Sequence, residues 1–158
     1  MSFKNYKRRR EGKTDYAKRL EMLKSRKPRL VVRKSNKRVL VQLVVFNEKG
    51  DETIACANSS DLKKFGFEGK CNSPSAYLTG FLAGKRALKK GLKEFIADIG
   101  LNTPSKGSVG FSAIKGALDS GLKGTMGEVA NLNRIEGKHL TEEVQKSFGE
   151  AKKKIEVD

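Results

Sequence analysis

The spacing of apolar positions changes character along the chain. Leu20 and Leu23 lie three apart, with Tyr16 one turn before Leu20, which predicts a short helix over about 14–24 with a single apolar stripe. Thr14 or Asp15 would cap it, and Pro28 would end it. Residues 29–33 are rich in β-branched side chains and read as a strand, with Leu30 and Val32 on one face and Arg29, Val31 and Arg33 on the other. Turn chemistry follows at Ser35-Asn36-Lys37. Residues 38–46 then alternate, with Val39, Val41, Leu43 and Val45 sharing a face. After a second turn at Asn47-Glu48-Lys49-Gly50, a third strand covers about 52–57. Two short connections in a row predict an antiparallel meander.

After Pro74 the period becomes helical. Tyr77, Leu78, Phe81, Leu82, Ala87 and Leu88 define a helix over 75–90, with Lys85, Arg86, Lys89 and Lys90 in its last turns and Gly91 just beyond. Residues 94–99 form a short buried strand. Gly107-Ser108 opens a second helix, with Phe111, Ile114 and Leu118 as its core stripe and Gly121 at its end. A last helix runs over 140–154, capped by Thr141. This order predicts an α/β fold: a mixed sheet, made of the meander plus a strand–helix–strand–helix unit, with helices on its faces. It divides the chain into a basic arm with a short helix (1–28), an α/β core (29–124) and a C-terminal helical segment (125–158).

Charge changes the picture. The 158 residues hold 34 Lys and Arg against 18 Asp and Glu, a net +16 that calls for a polyanionic partner, nucleic acid or an acidic membrane surface. Sixteen of those cations and only three acids lie in residues 1–38, so the first quarter carries +13 and the rest +3. The polycation is thus an appendage on a nearly neutral body. Its first stretch, with Lys4, Lys7, Arg8, Arg9, Arg10 and Lys13, has no periodicity and is expected to be extended and disordered without a partner. With 37% apolar residues and no Trp, the body supports one modest core. Two cysteines, Cys56 and Cys71, make no disulfide framework and suggest a reducing compartment. No apolar run approaches the ~20 residues of a membrane span, and the N-terminus lacks the apolar stretch of a signal peptide. A cytoplasmic protein is expected.

Several catalytic readings fail on spacing. Gly12-Lys13-Thr14 looks like the end of a phosphate-binding loop, but Lys7 stands where that motif needs glycine and no strand precedes it. Two cysteines and one histidine, His139, match no zinc spacing, and Cys56 reads as a small core hydrophobe. A two-metal nuclease needs several carboxylates holding ions ~4 Å apart. Here only Asp98 is suitably placed, and the first strand offers Arg33 and Lys34 instead. Gly80 and Gly84 are spaced for close approach of their helix, expected to be to the sheet. Neither cofactor nor metal is expected.

What remains is a basic surface. Arg29, Arg33, Lys34, Lys37 and Arg38 surround the first hairpin and would grip phosphates, while Asn36 at its tip and Gln42 would read base edges or 2′-hydroxyls. Tyr6 and Tyr16 lie among the charges, where they would stack on unpaired bases; for Tyr16, plain helix packing is an equal reading.

Six blocks fall in an order that resembles a known family. They are Arg8-Arg9-Arg10-Glu11-Gly12-Lys13-Thr14-Asp15-Tyr16, Pro28-Arg29-Leu30-Val31-Val32-Arg33-Lys34-Ser35-Asn36, Ser59-Ser60-Asp61-Leu62, Ser75-Ala76-Tyr77-Leu78-Thr79-Gly80, Asp98-Ile99-Gly100-Leu101-Asn102 and Lys115-Gly116-Ala117-Leu118-Asp119-Ser120-Gly121-Leu122. The chain resembles the universal large-subunit ribosomal protein 18 family in its archaeal and eukaryotic form. The resemblance implies a non-enzymatic protein that binds 5S ribosomal RNA and helps anchor it to the large-subunit RNA in the central protuberance, beside the other 5S RNA-binding protein. It also implies a ribonuclease H-like layer plan. It carries RNA contact onto Arg8, Arg9, Arg10, Lys13, Thr14, Tyr16, Arg33, Ser35, Asn36, Arg38 and Gln42. Two departures stand out: Val109 follows Gly107-Ser108 where the family usually has a basic residue, and the pattern fades after Leu122. The competing reading is a non-specific nucleic-acid chaperone or packaging protein.

Overall fold

The computed structural model describes residues 6–127 and 129–157, so Lys4 lies outside the described residues. Strands β1 (Arg29–Lys34), β2 (Val39–Val45) and β3 (Glu52–Asn58) form the expected antiparallel meander. The short strand β4 (Ile96–Asp98) joins β1 in parallel, giving a mixed sheet of order β3-β2-β1-β4. Alternation buries Leu30, Val32, Val39, Val41, Leu43, Ala55 and Ala57 on one face. The register slips between Leu43 and Val44, which face Ala55 and Thr53 respectively. The extra residue there is Ile54 of β3; along β2 the alternation holds, with Val44 on the face of Gln42 yet buried, and Val45 on the core face half-buried. Cys56 also departs from expectation. Its neighbours Ala55 and Ala57 turn inward, so the thiol faces out, exposed, opposite Gln42.

Helix α3 (Ser73–Lys89) starts at Asn72, whose side chain accepts from the Ser75 N–H at 3.0 Å, with Pro74 inside the first turn rather than before it. It lies almost wholly buried between the sheet and helix α4 (Val109–Asp119). A β-carbon on Gly80 would sit 1.9 Å from the Ala113 carbonyl oxygen, and one on Gly116 2.1 Å from that of Tyr77. One on Gly84 would sit 2.0 Å from the Ser120 hydroxyl. The glycine spacing therefore brings helix to helix, not helix to sheet as expected.

Two elements escaped the periodicity. A 3₁₀ segment, Ser59–Phe65, is held by a capping box in which Asn58 and Asp61 satisfy each other's backbone N–H groups, and Arg86 reaches Asp61 at 3.0 Å. Helix α5 (Leu132–Ile135) is a single turn. The C-terminal helix α6 (Glu142–Val157) buries Ala151 and Ile155 in the same core and sets Phe148 5.7 Å from the Tyr77 ring.

The N-terminal segment is more ordered than a charge run predicts. Lys7–Arg10 makes one helical turn, α1, and the Tyr6 ring packs 5.4 Å from Tyr16. The described part of the arm folds back rather than extending. Helix α2 (Tyr16–Lys24) is capped by Asp15 and ends at Lys24, both as expected, with Arg26 at φ 55° lying between its end and Pro28. Its buried residue is Met22, while Leu20 is 58% exposed. Leu23 of the predicted stripe is half-buried and Leu20 is not, while Arg19 ties the helix to Asp51 in the β2–β3 turn.

Replacing Gly116 by Ala should push α3 and α4 apart and cost about 2–3 kcal/mol, read as a lower urea midpoint with an unchanged m-value. Tyr77 gives a second test. Burial, then the 2.8 Å hydrogen bond it donates to Asp119, hold its phenol above the ordinary value near 10. The folded state thus keeps its proton longer than the unfolded chain. The resulting stability is complete below about pH 10 and is lost as pH rises towards the folded value. Between about pH 9.5 and 11.5 the urea midpoint should fall more steeply for the parent than for Tyr77→Phe.

Candidate nucleic-acid interface

The same alternation that sends Leu30 and Val32 into the core turns Arg29, Val31 and Arg33 to the opposite face. Gln42 and Val44 from β2 and Thr53 from β3 join them as the floor of an open cleft of about 740 Å³. Its walls are the turn at 12–15, α2 through Lys18, Arg19 and Met22, and the loop Gly100-Leu101-Asn102 that follows β4. Six cations line this cleft (Arg8, Lys13, Lys18, Arg19, Arg29 and Arg33) against three carboxylates, Asp15, Asp51 and Asp98. The cations outnumber the lining carboxylates two to one, and Lys13 pairs with Glu11, outside the lining, at 2.8 Å.

Two of the carboxylates are committed to arginines. Asp98, 4% exposed, accepts from Arg29 Nη1 at 3.2 Å, from Arg33 Nη2 at 3.1 Å and from the Gly100 N–H at 2.8 Å. Arg33 also donates to the backbone carbonyls of Val32 and Asp98, at 2.9 and 3.0 Å. Asp51 accepts from Arg29 Nη2 and, at 2.9 Å, from Arg19 Nη2. A chain Arg33–Asp98–Arg29–Asp51–Arg19 therefore ties β4, β1, the β2–β3 turn and α2 together. A carboxylate so enclosed is an ion-pair anchor rather than a metal ligand. Among the described residues, no group of three or more His, Cys, Asp or Glu side chains is gathered for a metal.

The expected contact residues separate into three groups. Arg8, Lys13, Thr14, Arg29, Arg33 and Gln42 line the cleft. Arg8 Nε donates to the Thr14 hydroxyl at 2.9 Å, fixing the turn that leads into α2. Arg29 has become an internal strut, 5% exposed, rather than a free phosphate grip. Arg33 is paired, yet its side chain stays 44% exposed. Lys34, Asn36, Lys37 and Arg38 stand exposed at the end of the β1–β2 hairpin. There Ser35 is occupied by the fold: its hydroxyl donates to the Arg38 carbonyl at 3.1 Å and accepts the Arg38 N–H at 3.0 Å. Lys7, Arg9 and Arg10 are exposed on α1, and Tyr16 is half-buried under Tyr6. Sequence reasoning missed Lys18, Arg19, Asp51 and Asn102. The block Asp98–Asn102 was visible, but nothing local showed that it walls a cleft.

Comparison with known proteins points to one family. The family described as ribosomal large subunit proteins 60S L5 and 50S L18 matches residues 2–97. A large ribosomal subunit protein uL18 from Natronomonas pharaonis is 59% identical over 95 residues, 60% of this chain and 52% of its own length. Those of Korarchaeum cryptofilum and Haloarcula marismortui are 57% identical over 96 residues and 59% over 95, each covering 60% of this chain. They are matched over 49% and 51% of their own lengths, so the chain spans about half of these relatives.

Asp98→Asn should strip the charge from the anchor, leaving buried Arg29 with Asp51 as its one carboxylate partner and Arg33 with none. Breaking a buried pair from one side costs about 3 kcal/mol. Chemical denaturation should show that loss, and Asp98→Ala should fare no better.

Proposed function

The chain belongs to the family of ribosomal large subunit proteins 60S L5 and 50S L18, and from that premise we propose that it is a non-enzymatic structural constituent of the large ribosomal subunit. In this reading it binds 5S ribosomal RNA and helps anchor it to the large-subunit RNA in the central protuberance, within cytoplasmic ribosomes. The other 5S RNA-binding protein is its proposed neighbour. The observation that carries the reading is the convergence of cations from the arm turn, α2 and β1 on one cleft, continued past Arg33 by the exposed hairpin end. Lysines and arginines on such a face neutralise phosphates and release counterions, which supplies affinity without sequence choice. Selectivity has to come from groups that read bases or shape, and Asn36 and Gln42 are the proposed readers.

The strand order, three antiparallel strands followed by a parallel one, supports a ribonuclease H-like layer plan for this scaffold. We assign residues 29–124 as its RNA-binding core, with 1–28 as the gripping arm and 125–158 as a C-terminal helical segment.

A mobility-shift competition tests the proposal. Binding to 5S ribosomal RNA should survive an excess of tRNA, and equal affinity for the two would favour a non-specific chaperone instead. Replacing Arg8, Arg9 and Arg10 together by Ala should weaken binding to every RNA and flatten the log–log salt slope by about two to three. Asn36→Ala should leave that slope unchanged and reduce only the preference for 5S RNA.

A further inference from the structure

The floor of the cleft holds a donor with nothing to donate to. Arg29 is 5% exposed, and its two Nη atoms are spent on Asp98 and Asp51, but its Nε has no hydrogen-bond partner. That Nε is itself enclosed, so a ligand in the cleft would meet the other groups of its floor and walls. Around it the floor is mixed: half-buried Val31 offers apolar surface, while Gln42 and Thr53 offer both donors and acceptors. The Asn102 amide N–H₂ is held by the Ile99 carbonyl at 2.8 Å, which fixes its oxygen as an acceptor on the wall.

We infer that this cleft takes one unpaired nucleotide of the bound RNA, its phosphate against the cationic rim and its base against the floor. The inference rests on the RNA-binding reading above and narrows its substrate class. Size favours it: about 740 Å³ lies within the roughly 300–1,000 Å³ of clefts that take one small ligand, and a nucleotide is a ligand of that size. Charge favours it too, since Arg8, Lys13 and Lys18, all exposed, line the same cleft as Val31, Gln42 and Thr53. An intact duplex presents its phosphates to such a rim but keeps its bases stacked, out of reach of the floor. Only an extruded or single-stranded base brings a flat apolar face and polar edges together at that depth.

The test uses the full chain and three RNAs: 5S ribosomal RNA, a short blunt duplex, and the same duplex with one bulged nucleotide. The parent protein should bind the bulged duplex about tenfold more tightly than the blunt one, the discrimination expected of one well-read base. Thr53→Phe fills the cleft from an exposed strand position while keeping every cation, and should reduce that preference to about twofold or less. Gln42→Leu, a second variant of similar volume, should do the same in part. Equal binding of the two duplexes by the parent, with 5S RNA still bound, overturns the cleft inference alone. So does a preference that survives both variants. Competition by free nucleoside monophosphates at concentrations equal to the RNA would assign the cleft to a free nucleotide and also overturn it. Failure to bind any of the three RNAs would sink the RNA-binding reading itself.

Discussion

Asp98 is the point through which the rest of the molecule is connected, because its carboxylate is buried between Arg29 and Arg33 and can persist there only fully paired. The two arginines are four residues apart on one strand, so both project from the same face and reach a single partner. That partner lies on a strand of only three residues, Ile96–Asp98, which backbone pairing alone would hold weakly at the sheet edge. The ion pairs thus fix β4 against β1 and with it the loop that becomes one wall of the cleft. Asp51 repeats the device on the other side, where it holds Arg29 and Arg19 and so fastens α2 to the sheet.

The fold divides its cations between two tasks. Arg29, Arg33 and Arg19 are bound to carboxylates and shape the cleft. Arg8, Lys18 and the exposed residues of α1 and the hairpin end supply the field that an RNA backbone would meet. A net charge counted from sequence treats these groups alike. Their consequences differ, since exposed charges are screened within about 10 Å at ordinary salt while the buried chain of pairs is screened far less. The opposite face of the sheet carries the apolar core. There Gly80 and Gly116 let α3 and α4 meet almost backbone to backbone, and this close packing gives the cleft a stiff floor.

The elements that were legible in the sequence are those set by neighbouring residues. Alternation from Leu30 to Leu43 showed the meander, the helical period after Pro74 showed α3, and Asp15 capped its helix where local chemistry said it would. Local rules failed where a partner distant in sequence decided the outcome. Leu20 and Leu23 form a plausible stripe, yet α2 docks through Met22 and Arg19 because Asp51 holds it there. Cys56 looked like core within an apolar run, but the inward positions belong to its alanine neighbours. Ser35 looked available to RNA, and its hydroxyl is consumed by the turn it closes.

The sequence by itself determined the class of fold, the asymmetry of charge and the family, because period, composition and motif order are properties of short stretches read one after another. It also placed the basic hairpin end, whose residues are contiguous. Only the tertiary structure decided that Arg29 is a strut, that Asp98 is its anchor and that the arm, α2 and the loop after β4 enclose a cleft. Those facts depend on pairing residues up to 69 positions apart. Such pairing is chosen by the desolvation cost of leaving a buried charge alone, which no local pattern records.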